Sequence, residues 1–256
     1  MTKKLQLSRG FTLIELAVVI VVIALLLGAL LVPLGTQVEQ RKVAETQKAL
    51  EEIREALLGF AMANGRLPKP SGVPSGSPPS INLANPAHRP DGRERPAACG
   101  ANDCFGFLPW ADLGMPSADA WNKLYRYSVT ETFTVPPAAL TTPGNRLIRT
   151  RNTPGMALAD LATGVVAVVL SHGPSNYGVT PGFSVFPNLS SPNNPDEERN
   201  YNYANSWPAL AADRYFVTRV KSTSTNVAVG GDFDDLLVWI PQSLFMHRMV
   251  AAGRLP

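Results

Sequence analysis

The longest uninterrupted apolar stretch of the chain lies near its N-terminus, at residues 11–34. Its 24 residues contain one ionisable side chain, that of Glu15. At about 1.5 Å of rise per residue, a helix of this length can cross a hydrocarbon core of roughly 30 Å. Basic side chains cluster just before the stretch, at Lys3, Lys4 and Arg9. The pattern therefore predicts a single transmembrane helix with a cytoplasmic N-terminus and an exported C-terminal part.

A different pattern follows at residues 35–64. Apolar side chains recur there at spacings of three, four and seven residues, at Val43, Leu50, Ile53, Leu57 and Phe60. This periodicity predicts an amphipathic helix whose narrow apolar stripe packs on a sheet. Asn64 and Gly65 supply a signal for the end of the helix.

The remaining residues, 65–256, are predicted to form an exported globular head. Eight prolines between residues 65 and 98 indicate a long surface loop. Short apolar runs predict strands at 125–131, 164–173, 214–220 and 234–240, and residues 242–253 predict a short terminal helix. Taken together, these elements predict an α+β fold, in which the long helix packs on a small antiparallel β-sheet with long loops.

Charge and composition exclude some functions. The chain has 23 Lys and Arg against 20 Asp and Glu, but three of the basic residues lie in the first ten positions. The rest of the chain is therefore formally neutral, and we expect no nucleic-acid partner.

The two cysteines, Cys99 and Cys104, are separated by four residues. A redox or metal motif would need further ligands that this spacing does not provide. Export would place both thiols in an oxidising compartment, so we predict a small local disulfide between them.

The residues around the start of the apolar stretch form a motif, Ser8-Arg-Gly10-Phe11-Thr-Leu-Ile-Glu15-Leu. It resembles the processing site of type IV prepilins and of the pseudopilins of type II secretion. The resemblance implies that a prepilin peptidase cuts between Gly10 and Phe11, removes the leader 1–10 and methylates the new N-terminal amine. It also implies that Glu15 offers a counter-charge to that amine and fixes the register between neighbouring subunits in a filament.

A cleaved secretory signal peptide is an alternative interpretation of this N-terminus. Its apolar region would normally span 7 to 15 residues and end in a small-residue cleavage site. The stretch here is longer, and the acid within it costs a few kcal/mol and is generally retained for a partner. Both features favour the prepilin interpretation.

Parts of the head also resemble major pseudopilins. Asp119-Ala-Trp-Asn122, followed by Tyr125 and Tyr127, is similar to a D-x-W-G-x-x-Y-x-Y stretch of that family, with Asn122 in the place of a glycine. Asparagine also accepts a left-handed turn conformation.

Two loops of the head, 171–178 and 232–235, resemble those that hold a calcium ion in major pseudopilins. The resemblance implies Asp232, Asp234 and Asp235 as calcium ligands. A solvated acidic turn is the alternative, and the insertion 179–213 separates the two loops by more than the family's compact spacing.

No recognised catalytic spacing occurs in the sequence, and Ser171 and His172, being adjacent in a strand, point to opposite sides. We therefore expect a structural subunit and not an enzyme. The resemblance implies a subunit of a type II secretion pseudopilus or a type IV pilus, whose partners are the prepilin peptidase, other subunits and an inner-membrane assembly platform. The large head favours a minor position. The competing class is a single-pass anchored periplasmic protein with a binding or hydrolytic role.

Overall fold

The computed structural model describes residues 11–72, 83–100, 104–136, 141–151, 157–186, 194–205 and 215–255. Within these ranges, the side chains of residues 27–34, 87 and 202–205 are not described. The predicted leader, 1–10, with the cleavage-site residue Gly10, lies outside the described residues. The chain divides into two compact units, Met1–Ala44 and Glu45–Pro256.

One long helix, α1 (Leu13–Asn64), contains both helical segments that the sequence predicts. Its first turn carries a capping box, in which Thr12 and Glu15 bond to each other's backbone amides. Its last residue is Asn64, followed by Gly65 with a left-handed φ of 74°. Of the helical residues that the structure describes, no stretch is both long enough and apolar enough to span a membrane. The membrane crossing at 11–34 stays a prediction.

Among the residues of the head that the structure describes, six strands form one sheet. Its strands are β1 (Phe105–Phe107), β2 (Arg126–Val129), β3 (Arg146–Thr150), β4 (Ala159–Ser171), β5 (Tyr215–Val217) and β6 (Leu236–Pro241). The order is β1-β2-β4-β3-β5, and β6 also pairs with β4. The long strand β4 lies at the centre because its 13 residues pair with β2, β3 and β6.

The prediction of an antiparallel sheet is wrong for one pair of strands. β5 lies parallel to β3, with Ile148 opposite Phe216, so the sheet is mixed. A parallel neighbour requires a long connection between the two strands, and the chain from residue 151 to residue 214 supplies it. The other pairs are antiparallel, as predicted.

The described part of the head also contains the α-helices α2 (Trp110–Leu113), α3 (Pro195–Asn205) and α4 (Gln242–Ala251). The terminal helix α4 confirms the prediction for 242–253. The segment that contains α3 appears in the sequence only as an insertion, and its helix was not predicted.

The main core of the head lies between α1, the sheet and α4. From α1 it takes the fully buried side chains of Leu50, Ile53 and Leu57, which belong to the predicted stripe. They meet aromatic and aliphatic side chains of β2, β4, β6 and α4. The rings of Phe133 and of Phe245 in α4 pack in a T-shaped arrangement, with their centroids 5.1 Å apart. The amphipathic half of the predicted helix therefore packs on the sheet, as the sequence indicates.

Candidate functional site

The N-terminal segment exposes an unusual amount of apolar surface. Phe11 and Leu13 are 85% and 88% exposed. The six consecutive residues 18–23 are each at least 48% exposed, and six residues cover more than one full helical turn. Apolar side chains are thus exposed on every side of this helical segment. A surface of this kind marks a site of contact with lipid or with other protein chains.

Glu15, the only acid of this segment, is engaged in the capping box of its own helix. Its Oε2 accepts hydrogen bonds from the Thr12 amide and the Thr12 hydroxyl, each at 2.8 Å. The carboxylate therefore satisfies a backbone N–H that would otherwise have no partner within the helix. The proposed peptidase site directly precedes this cap, at the bond before Phe11.

A second candidate site is a buried polar cluster in the head, where β4 ends and β6 begins. It is built on the turn that runs from Asp119 to Lys123. The Asp119 carboxylate accepts hydrogen bonds from the amides of Trp121 and Lys123, both at 2.9 Å. Asn122 has a left-handed φ of 62°, which confirms the conformation expected from its place in the motif. The turn directs Lys123 towards the loop that follows β4.

Lys123 lies at the centre of this cluster, and only 1% of it is exposed. Its Nζ donates hydrogen bonds to the backbone carbonyl oxygens of Ser175 and Asn176, at 2.8 and 2.7 Å. The ammonium also lies 4.9 Å from the centroid of the Phe186 ring. Burial lowers the pKa of Lys123, whereas the nearby acids, chiefly Asp234, raise it.

Three carboxylates meet beside this lysine: Glu197 from α3, and Asp234 and Asp235 from the segment before β6. Each offers an oxygen within 4.8 Å of the others. Burial raises the pKa of all three carboxyls, to about 6 for Asp234, because their charged forms lose contact with water. The solvated acidic turn considered from the sequence is therefore not what forms, since Asp234 and Asp235 are buried. Asp232 is only half-buried, and its Oδ2 accepts a hydrogen bond from the side-chain amide of Asn176 at 3.4 Å.

The carboxylate oxygens of the cluster already accept hydrogen bonds from protein groups. Those of Asp235 contact Nδ1 of His172 at 3.2 Å and Nδ2 of Asn200 at 2.7 Å. Those of Glu197 accept from the Asp234 amide and from the side-chain amides of Asn176 and Asn194. One oxygen of Asp234 accepts from the amide and hydroxyl of Ser175, and among the described residues the other has no hydrogen-bond partner.

This donor set does not fit a calcium ion well. Calcium takes six to eight oxygens, and loop carbonyls commonly supply some of them. Here the carbonyls of Ser175 and Asn176 bond to the Lys123 ammonium, and most carboxylate oxygens bond to N–H groups. Calcium binding at Asp232, Asp234 and Asp235 stays a prediction from the resemblance, and the geometry does not favour it.

Ser171 and His172 lie in the same cluster but have separate partners. The Ser171 hydroxyl donates to Asp119 at 2.5 Å, while His172 contacts Asp235. Burial lowers the pKa of His172 to about 3, so its contact with Asp235 is a hydrogen bond of a neutral ring and not an ion pair. Tyr177 and Tyr201 pack around the ring. In this arrangement the hydroxyl of Ser171 bonds to Asp119 and not to the His172 ring, so the two side chains do not form a nucleophile–base pair.

The cysteines lie together at the edge of the main core. The sulfur atoms of Cys99 and Cys104 are at bonding distance, and their Cα atoms are 5.0 Å apart. Cys104 directly precedes β1 and is fully buried. The predicted local disulfide is thus compatible with the fold.

Sequence reasoning missed Lys123 and Glu197. Lys123 directly follows Asn122 in the recognised turn, and this position could have indicated that the lysine belongs to the site. Glu197 lies in the insertion 179–213, and its approach to Asp234 depends on the folding of α3.

Comparison with known proteins identifies the N-terminal segment. Residues 6–31 match the family model of the prokaryotic N-terminal methylation motif. The chain therefore carries the hallmark of type IV pilins and pseudopilins, and this motif supports a pilin-like or pseudopilin subunit. No curated protein and no solved structure gives a significant match to the chain.

Proposed function

We propose that the protein is a minor subunit of a pilin-like filament, either a type II secretion pseudopilus or a type IV pilus. The single observation that carries this proposal is the methylation motif at 6–31, which continues into a helical segment with exposed apolar side chains on every side. The role is structural, and the protein is a substrate of the prepilin peptidase and not itself an enzyme.

In this proposal, the peptidase cuts between Gly10 and Phe11 at the cytoplasmic face of the inner membrane. The segment 11–34 then holds the subunit in the membrane, with the head in the periplasm. Extraction by the assembly platform transfers the apolar helix from lipid to the interior of a filament, where helices of other subunits cover it. This transfer explains why so many large apolar side chains lie exposed on an isolated chain.

One feature favours the pseudopilin branch, and another favours a minor position in the filament. The turn from Asp119 to Asn122 and the acidic segment before β6 resemble that branch. The head also carries long insertions, among them the loop 65–98 and the segment with α3, which would crowd a tightly wound filament built from this subunit alone.

The experiment compares two substitutions of Glu15 in a host with an active assembly system. Glu15→Leu removes both the charge and the capping interaction with Thr12. Glu15→Gln removes the charge but retains an amide oxygen that can accept the same hydrogen bonds. Both variants should insert and be processed. If the carboxylate neutralises the amine of a neighbouring subunit, neither variant should enter sheared filaments.

A result in which Glu15→Gln assembles normally and Glu15→Leu does not would reduce Glu15 to a helix cap. Normal assembly of both variants would remove its role altogether. If the chain also kept its leader in the presence of the peptidase, the anchored periplasmic protein would be the better interpretation.

A further inference from the structure

The loop after β4 is folded around the side chain of Lys123. Two consecutive carbonyls, of Ser175 and Asn176, point at the ammonium. At Gly178, which has a φ of 111°, a Cβ atom would lie 2.7 Å from Cδ of Lys123. The absence of a side chain at this glycine therefore lets the loop close over the lysine stem. Carbonyls that converge on one cation in this way are the arrangement expected at a metal-binding loop.

The charge around Lys123 also has the sign that a cation requires. Burial lowers the pKa of Lys123, and the nearby charges of Asp234, Asp119, Asp235 and Glu197 raise it, because they favour the charged ammonium. All four are buried. Such a group of acids is costly in a protein interior unless a positive charge or hydrogen-bond donors compensate it.

The nearby basic residues are committed to other groups. Arg219 pairs with Asp196 at 2.8 Å, and Arg151 pairs with the same carboxylate. Arg126 lies over the Phe107 ring, with its guanidinium carbon 4.2 Å from the ring centroid. Burial lowers the pKa of His172 to about 3, so its ring carries no charge at pH 7. Among the described residues, Lys123 is the cation that donates hydrogen bonds to these loop carbonyls.

We propose that the Lys123 ammonium is the built-in cation of this site and takes the place that a divalent ion occupies in a metal-binding loop. It holds the carbonyls of Ser175 and Asn176 and offsets the charge of the buried acids. The head therefore folds without calcium, although its acidic loop resembles a calcium loop. The inference concerns the head alone and does not depend on filament assembly.

The test measures the thermal melting of the full chain in detergent, with millimolar calcium or with EDTA. The wild-type midpoint should be the same in both conditions. Lys123→Met keeps the apolar stem but removes the charge, and should lower the midpoint by roughly 10 °C, because the buried acids lose their cation. Lys221→Met, at an exposed lysine of the head, is the matched control and should melt like the wild type.

A third variant, Lys123→Ala, removes the stem and opens space beside the carbonyls and acids. Calcium should raise its melting temperature, whereas it leaves the wild type unchanged. The proposal is overturned if EDTA lowers the wild-type midpoint, if calcium raises it, or if Lys123→Met melts like the control. If the Lys123 variants do not fold, the wild-type comparison can still overturn the proposal, because a head that holds its own cation must melt alike in calcium and in EDTA.

Discussion

The packing of α1 on the sheet makes a quantitative prediction at Ile53. This side chain is fully buried in the main core, together with Tyr125, Val166 and Phe245. Ile53→Val removes one methylene group and should destabilise the head by about 0.5–1.5 kcal/mol. Ile53→Ala removes more of the side chain and leaves a cavity, so it should cost about 2–5 kcal/mol.

These free energies convert to shifts in melting temperature that can be measured. For a domain of this size, 1 kcal/mol corresponds to roughly 2–4 °C. If Ile53→Ala lowers the free energy of unfolding by about 3 kcal/mol, it should melt roughly 6–12 °C below the wild type. The melting temperature of Ile53→Val should lie between those of the wild type and Ile53→Ala. Val220→Ala is the control, because Val220 is 87% exposed and its truncation should change the free energy of unfolding by less than about 0.5 kcal/mol.

The assay is near-ultraviolet circular dichroism of the full chain in detergent. All four tryptophans lie beyond residue 64, so the signal reports the tertiary packing of the head and not the helicity of the N-terminal segment. If Ile53→Ala melted within a degree or two of the Val220→Ala control, the buried stripe would not hold α1 on the sheet, and the description of the core would be wrong.

Two further predictions concern the ion pair of Arg66 with Glu94 and the disulfide of Cys99 with Cys104. Arg66 bonds to both oxygens of Glu94 and holds the pKa of that carboxyl below its ordinary value. The stabilisation from this pair should therefore be present above about pH 4.3 and be lost as the pH falls through the lower pKa of the folded state. The difference in melting temperature between the wild type and Glu94→Gln should shrink in acid, and a constant difference would contradict this explanation. Reduction of the disulfide between Cys99 and Cys104 should lower the free energy of unfolding by about 2 kcal/mol on the chain-entropy model, and so lower the melting temperature. Cys104→Ser is the control, because it has no disulfide to reduce and should melt at the same temperature with and without reductant.

The elements that the sequence predicts well are those whose apolar pattern decides their structure. The stripe of Leu50, Ile53 and Leu57 specifies the face that α1 buries, and the continuous apolar run in β4 specifies a central strand. Asparagine at position 122 predicts the left-handed φ that the structure has there, because few other residue types accept it.

The elements that were missed lack such a local signal. In α3, the sequence PDEERNYNYAN has no apolar stripe, although a proline followed by three acids is a typical helix start. The direction of β5 beside β3 follows from a long connection and not from the pattern within either strand. The burial of Lys123 also has no local signal, because the loop carbonyls that accept its hydrogen bonds lie more than 50 positions further along the chain.

The N-terminus of the isolated protein shows whether the chain is processed as a pilin-like subunit. The measurement is the intact mass and the N-terminal peptide of the protein isolated from membranes, with and without an active prepilin peptidase. If the chain is processed as a prepilin, the isolated protein begins at Phe11 and carries one added methyl group, and this species is absent when the peptidase is inactive or when Gly10 is replaced by valine. A chain that still begins at Met1 or Thr2 in the presence of the peptidase, or one that is cut beyond Leu34, would contradict this prediction.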